Sequence, residues 1–514
     1  MNIIYFIMEF TCRNIDLKNG RRTVILNVRD AAKLGVGEES RVIIYGGEIS
    51  KIFFVNLSDN LLKEGECLIN SDLFRTEKVK IEPLASLKST ESIKKKIYGK
   101  SLTKVELDEI IKDIVEDNLS QIELTSYVIS LQTMGMNEVE ISNLVDSMVF
   151  SGETIKFDYD VFDVHSIGGV PGNKYALLTV PIAASFGIRI PKTSSRAVSS
   201  AAGTADVMEV IANVSLKPDD IRRIVNTVGA TLAWGGAMKL APADDRIIKI
   251  EQPMGIDPWG QLVASVLSKK KATNIKNLLI DIPMGNETKV ENPKDAREMS
   301  DLFIRIGNRV GIDVNIAITY GGQPLGRTIG PALEAQEAMM ALEGKHVSNS
   351  LVVKSVELAS ILMEMAGIGD QNTAKEMAYS TISNGKAREK FLEIVREQGS
   401  RNIERSEDIE LGQYQHEFLS NRDGYIARIS NRALVKIARS LGAPTSKKAG
   451  IYINKKIGDK IEKNEMILRL YSESKERLDQ TLKLINTLNI YEIEGMVIDH
   501  YPRNNKSKVS DLTE

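Results

Sequence analysis

Apolar and polar positions follow two rhythms along the chain, and the change of rhythm separates its parts. Over residues 1–86, RRTVILNV, SRVIIYGG and KIFFVNL alternate or run apolar between Gly, Asp and Asn turn signals, which predicts short strands forming a small barrel. From Ser101 the period lengthens to that of helices. Leu107, Ile110, Ile111 and Ile114 form one apolar stripe, and Val128, Leu131 and Met134 continue another. Thr103 with Glu106, Ser120 with Glu123, and Asn137 with Glu140 each place a capping residue three positions before a glutamate. Gly135 and Gly152 are natural stops, so residues 95–155 read as a helical domain.

Beyond residue 160 strands alternate with helices. A strand over 161–165 is followed by an apolar helix over 175–186, closed by Gly187, and by a strand over 188–191. Thr204 opens the helix TADVMEVI. The helices DDIRRIVNTVG, PADDRIIKIEQ, KDAREMSDLFIRIGNRVG and PALEAQEAMMALEG then alternate with the strands ATLAW, LLIDIP and DVNIAITY. Such alternation predicts an α/β domain over 156–420 with a mostly parallel sheet. DGYIARI and AGIYINKKIGDKIEKNEMILRLYS turn the texture back to short strands and glycine turns, so 421–500 reads as a β-rich domain before a polar tail, 501–514. A chain of 514 residues is too long for one core, in keeping with three or four domains.

The candidate chemistry lies at two consecutive strand ends. Ser166-Ile167-Gly168-Gly169 is a turn whose glycines let a ligand approach the backbone closely. The next strand runs into a loop carrying Ser194, Ser195, Arg196, Ser199 and Ser200, and Thr204 follows it. Backbone N–H groups, hydroxyls, a helix start and one guanidinium suit phosphate oxygens. Neither G-x-x-x-x-G-K-[ST] nor a helix-opening G-x-G-x-x-G is present. With Lys plus Arg at 67 and Asp plus Glu at 69, the net charge of −2 exerts no general pull on nucleic acid or an anionic membrane. MNIIYFIMEF lacks a basic leader and is interrupted by Glu9, so it reads as a strand, and no apolar run approaches the roughly 20 residues of a membrane span. Cys12 and Cys67 cannot make a disulfide framework and read as buried free thiols in a reducing cytoplasm. Four histidines without clustered spacing predict neither a metal site nor a cofactor.

Two motifs, Val164-His165-Ser166-Ile167-Gly168-Gly169-Val170 and Ser194 to Asp206 (SSRAVSSAAGTAD), resemble the signatures of the nucleoside phosphorylase family that contains the thymidine and pyrimidine-nucleoside phosphorylases. Met148 to Gly152 and Gln323-Pro324-Leu325-Gly326-Arg327 resemble further motifs of it. Val164 stands where that family has a phosphate-binding lysine, Ile167 where it has a threonine, Ala176 where a serine is usual, and Ile250 where an arginine clamps a pyrimidine. The SSRAVSSAAGTAD form is similar instead to the AMP phosphorylase branch, which acts on nucleoside 5′-monophosphates and carries an N-terminal β-rich extension.

The resemblance implies phosphorolysis of AMP, and of CMP and UMP, by inorganic phosphate to free base and ribose 1,5-bisphosphate. It also implies a homo-oligomer, a dimer or larger, and a helical domain completed by residues 242–272. Gly168, Gly169, Ser194 and Thr204 would surround inorganic phosphate. Ser195, Arg196, Ser199 and Ser200 would hold a 5′-phosphate, Ala197 and Val198 between them would also bind substrate, and Lys289 would serve either anion. Ser265 and Lys269 would face the base. Asp257 would give the leaving base its proton, with His165 as the rival donor. A nucleoside phosphorylase acting on unphosphorylated nucleosides and a catalytically silent AMP-binding regulator are the competing readings. The G-T-G-G-D turn of anthranilate phosphoribosyltransferase, which shares the architecture, is not matched by Ser166 to Val170.

Overall fold

Six strands close on themselves at the start of the chain: β1 (Met8–Asn14), β2 (Thr23–Asn27), β3 (Arg41–Gly46), β4 (Ile49–Ser58), β5 (Glu66–Ile69) and β6 (Lys78–Leu84), in the order β1-β5-β2-β4-β3-β6. The computed structural model describes residues 7–497 except 19, 72, 75–76, 198–199 and 346–348. Phe10, Val24, Leu26, Val42, Ile44, Phe53 and Val55, on alternate strand positions, fill the barrel. RRTVILNV is not one strand throughout. The Asn27 side chain accepts the Arg29 N–H and starts α1 (Val28–Leu34), which a left-handed Gly35 closes. Cys12 and Cys67 are register partners on β1 and β5, and both are buried free thiols.

A helix that the pattern does not announce, α2 (Lys88–Ile97), comes next; its buried residues are Ser89, Ser92, Ile93 and Lys96. α3 (Lys104–Val115), α4 (Gln121–Met134) and α5 (Glu138–Phe150) begin at Thr103, Ser120 and Asn137, and in all three the capping box is reciprocal. Arg22 and Arg41 join the barrel to this lobe: Arg22 donates to Asn118 Oδ1 at 2.8 Å, and Arg41 donates to the Asn118 carbonyl at 3.0 Å and pairs with Glu123.

The alternating part follows as β7 (Phe162–Ser166), α6 (Ala176–Ala184), β8 (Ile190–Ser194), α7 (Thr204–Met208), α8 (Pro218–Val228), β9 (Ala230–Trp234), α9 (Pro242–Met254), α10 (Trp259–Ala272), β10 (Asn277–Met284), α11 (Pro293–Val310) and β11 (Asp313–Tyr320). β11, β10 and β7 form one parallel sheet and β8 with β9 another. The Phe162 N–H donates to the Arg189 carbonyl at 2.9 Å, so β7 and β8 start side by side. All nine residues of α6 are buried, leaving it no solvent face. β8 lies later than expected, because Lys192 and Thr193 are buried and pair in register with Leu232 and Ala233.

The rest comprises β12 (Thr328–Ile329), α12 (Pro331–Leu342), α13 (Asn349–Met365), α14 (Gln371–Ser383), α15 (Lys386–Glu397), β13 (Tyr414–Leu419), β14 (Gly424–Ile429), α16 (Asn431–Leu441), β15 (Gly450–Ile453), β16 (Lys460–Ile461), β17 (Met466–Ser472), α17 (Lys475–Ile485) and β18 (Tyr491–Glu494). The last strands make two small sheets, but α16 and α17 pack with them, so this region is not strands alone. The chain forms two compact units: residues through Ser151 with Ala241–Ser265, and Gly152–Leu240 with residues from Val266 onward. Among the described residues, no helix is long and apolar enough to cross a membrane.

Candidate anion-binding site

In the larger unit the carboxyl ends of parallel strands collect the groups that suit anions. Ligands in open α/β sheets lie beyond such ends. The turn after β7 holds Gly168 and Gly169 at φ of 86° and 91°, a left-handed conformation in which a side chain would be strained. A Cβ on Gly169 would lie 2.9 Å from the Lys289 nitrogen, so the turn packs directly on the segment leaving β10. The Ile167 N–H donates to the Asp281 carbonyl at 3.0 Å, and Ser166 Oγ accepts from the Gly168 N–H at 3.3 Å and Asn173 Nδ2 at 3.0 Å. Asn173 Oδ1 accepts from Lys354, whose ammonium also pairs with buried Asp281 at 2.8 Å. Lys174, fully buried, donates to the carbonyls of Gly172, Leu325 and Thr328 and pairs with Glu337 at 2.9 Å. That lysine ties the glycine turn to the QPLGR motif.

The loop after β8 folds back on Gly203, where a Cβ would lie 2.6 Å from the Ser195 oxygen. Asp206 organises the fold-back: its Oδ2 accepts the N–H groups of Ala197 at 2.7 Å and Gly203 at 3.0 Å. Arg439 donates to the Ser200 carbonyl at 2.9 Å, and Ser194 Oγ to the Ala233 carbonyl at 3.2 Å. Ser195 is exposed, while Ser194, Ala197, Ser200 and Thr204 are half-buried. Thr204 opens α7, which is five residues long rather than the eight expected. Arg196, expected to hold a 5′-phosphate, lies against two carboxylates. It grips Glu209 through two hydrogen bonds of 2.7 and 2.8 Å, meets Asp206 at 3.0 Å, and stacks on Trp234 at 4.4 Å. The Glu209 carboxylate is pulled down to about 2, chiefly by its hydrogen bond to Arg196 against the opposing effect of burial, with Lys447 at 2.7 Å also helping.

His165 faces a strongly positive surrounding. Burial, and then Lys270, Lys192, Lys269 and Lys289, hold its imidazole well below the ordinary histidine range. Its Nδ1 is buried without a hydrogen-bond partner among the described residues. The ring is therefore neutral near pH 7 and poorly suited to be the acid. Lys269 sits half-buried in the last turn of α10, and Lys289 is exposed after β10.

Three domain families match consecutive parts of the chain: the glycosyl transferase family helical bundle domain over 90–152, the glycosyl transferase family a/b domain over 158–388, and the pyrimidine nucleoside phosphorylase C-terminal domain over 425–492. The chain is 44% identical over 497 residues to the AMP phosphorylase of Methanocaldococcus jannaschii, covering 95% of this chain and 98% of that one. It is also 44% identical to the AMP phosphorylase of Thermococcus kodakarensis, covering 96% and 99%. This chain belongs to the AMP phosphorylase family. Among solved structures, the anthranilate phosphoribosyltransferase of Thermus thermophilus aligns with a TM-score of 0.50 at 16% identity, over 60% of this chain and 99% of that one, which shows a shared fold.

The expected site residues fall in both compact units. His165, Gly168, Gly169, Ser194, Ser195, Arg196, Ala197, Ser200, Thr204, Lys269 and Lys289 belong to the larger. Val198 and Ser199 lie outside the described residues. Asp257 and Ser265 belong to the helical unit. Asp257 is half-buried ahead of Pro258, and Ser265 Oγ donates to Asp244 at 2.8 Å. Among the described residues, no group of three or more His, Cys, Asp or Glu side chains is arranged to hold a metal ion. The supporting charges Asp163, Lys174, Lys192, Lys270, Asp281 and Lys354 escape a reading by motif. A buried lysine looks like a surface lysine until its distant partner is known.

Proposed function

We propose that this chain catalyses the phosphorolysis of AMP by inorganic phosphate, releasing adenine and ribose 1,5-bisphosphate, and that CMP and UMP are handled at the same site. The observation that carries this reading is the near full-length similarity to proteins named AMP phosphorylase. Two adjacent anion-suited strand ends in one unit support it. Phosphate is already a nucleophile, so no serine or cysteine nucleophile is needed. An oxygen of phosphate forms the new bond to the anomeric carbon as the glycosidic bond breaks, and the bonding pair leaves with the base. Positioning two anions and protonating the base are then the enzyme's tasks.

In this reading Gly168, Gly169, Ser194 and Thr204 hold inorganic phosphate. The N–H groups and hydroxyls over 195–200 receive the 5′-phosphate, and Lys289 adds charge to either. Arg196 is reassigned from ligand to brace, because its pairing with Glu209 and Asp206 shapes the loop. Ser265 and Lys269 orient the base, and Asp257 protonates it. The reading carries with it a cytoplasmic homo-oligomer, a dimer or larger. The test is phosphate-dependent base release from AMP, CMP, UMP and adenosine. AMP is expected to react far faster than adenosine, and Arg196→Ala to impair AMP turnover more than any residual adenosine turnover, because the loop that receives the 5′-phosphate loses its brace. Equal rates with AMP and adenosine would remove the 5′-phosphate pocket from the reading.

A further inference from the structure

Beside the strand ends lies a buried charge cluster to which the chemistry above assigns no role. Asp163 on β7 is fully buried and faces two lysines, Lys270 at 2.6 Å from the last turn of α10 and Lys192 at 3.8 Å from β8. Both ammonium groups donate to the Thr193 carbonyl, Lys192 at 2.8 Å and Lys270 at 3.1 Å, and Lys270 also donates to Thr193 Oγ1 at 3.2 Å. One carboxylate thus answers two buried cations. His165, two residues along the same face of β7, brings no negative charge, and Lys269 and Lys289 add positive potential at that histidine. β9 contributes nothing ionisable: it reads ATLAW, with Leu232 as the register partner of Lys192.

A buried surplus of positive charge is relieved when a proton leaves or when an anion arrives. Lys192 is the cation more loosely held by Asp163 and the one set to lose its proton. Burial pushes it down to about 7, with Asp163 opposing and Lys270 reinforcing. Lys192 also shares a face of β8 with Ser194, two residues on, where the strand ends.

We propose that Lys192 is a proton-linked positioning residue that takes up one proton as a phosphate dianion settles on these strand ends, matching the charge of the site to its ligand. The proton comes from solvent and bonds to the lone pair of the Lys192 amine; no other bond forms or breaks. The resulting ammonium is held by Asp163 and the Thr193 carbonyl and acts on the anion through space, without touching it. The inference rests on the phosphorolysis reading, in which two anions must share one site.

Sulfate is the probe of choice, because it keeps its charge across the neutral range where phosphate itself titrates. Calorimetry of sulfate binding in buffers of different ionisation enthalpy counts the protons taken up. For the intact wild-type protein we expect uptake of most of a proton at pH 8, and a Kd that rises towards tenfold per pH unit above about 7. Lys192→Met should bind sulfate more weakly, with no uptake and a flat pH profile. Lys192→Arg, permanently charged, should keep the affinity yet lose the uptake, a pairing that a purely structural role does not produce. His165→Gln should leave the uptake in place. Absent sulfate binding, absent uptake in the wild type, uptake that survives Lys192→Met, or uptake lost in His165→Gln overturns the proposal. Adenine release by the wild type is scored separately: a protein that shows the linkage but releases no base refutes the phosphorolysis reading and leaves the linkage standing.

Discussion

In the proposed phosphorolysis Asp257 and His165 are rival donors of a proton to the departing base, and the surroundings of His165 weigh against it. An imidazole kept neutral by burial and four lysines has no second proton to give near pH 7. Asparagine keeps the size and hydrogen-bonding capacity of aspartate, so Asp257→Asn should leave the fold intact while slowing adenine release by about 10²–10⁴-fold at saturating phosphate. His165→Gln should slow it by less; the reverse ranking in single-turnover base release would make His165 the acid. Glu209 offers a residue-scale test of the loop brace. Its folded value, about 2, lies below the unfolded one, so the stability it contributes is present above about pH 4.5 and is lost as pH falls towards 2. The melting-temperature gap between wild type and Glu209→Gln should therefore be widest near neutrality and close on acidification. A constant gap would mean that the carboxylate charge is irrelevant to the loop.

At the scale of elements, the helical lobe shows which contacts are local and which are not. The three capping boxes join residues three apart, and all three helices start where the sequence pattern places them. Glu140 has a second role that its spacing does not reveal: it pairs with buried Lys96 at 2.7 Å and accepts the Leu102 N–H at 2.8 Å. Glu140→Ala should lower stability by about 3–5 kcal/mol, since it strands a buried ammonium, whereas losing an ordinary cap costs about 1 kcal/mol. Thermal and urea unfolding monitored on this lobe would register the difference; a loss no larger than that of Thr103→Ala would mean that Lys96 finds water or another partner.

At the scale of the whole molecule, the barrel carries none of the proposed site residues, and its described polar ties to the helical lobe run through Arg22 and Arg41. If the barrel serves assembly, deleting residues 1–84 should reduce the particle towards a dimer in light scattering while base release persists. The freed loop around Asn118 should also lower the first thermal transition. An unchanged mass after deletion would end the assembly role.

The sequence by itself determined what depends on neighbours within a turn or a strand: the switch from barrel to helix to α/β alternation, the helix caps, the two left-handed glycines after β7 and the hydroxyl loop after β8. It also carried the motifs by which the family is legible. What only tertiary structure decided is where the charges go. Arg196 looks like an anion ligand in the sequence, yet Glu209, thirteen residues on, and Asp206 claim it. Lys192 and Lys270 look like surface lysines, yet both end on Asp163, which lies 107 residues from Lys270. Extension of β8 past Pro191 likewise depends on β9 being there to pair with. Local pattern specifies backbone conformation because those interactions close within a few residues. The protonation and pairing of buried ions depend on which distant groups the fold brings within a few ångströms, and no spacing along the chain encodes that.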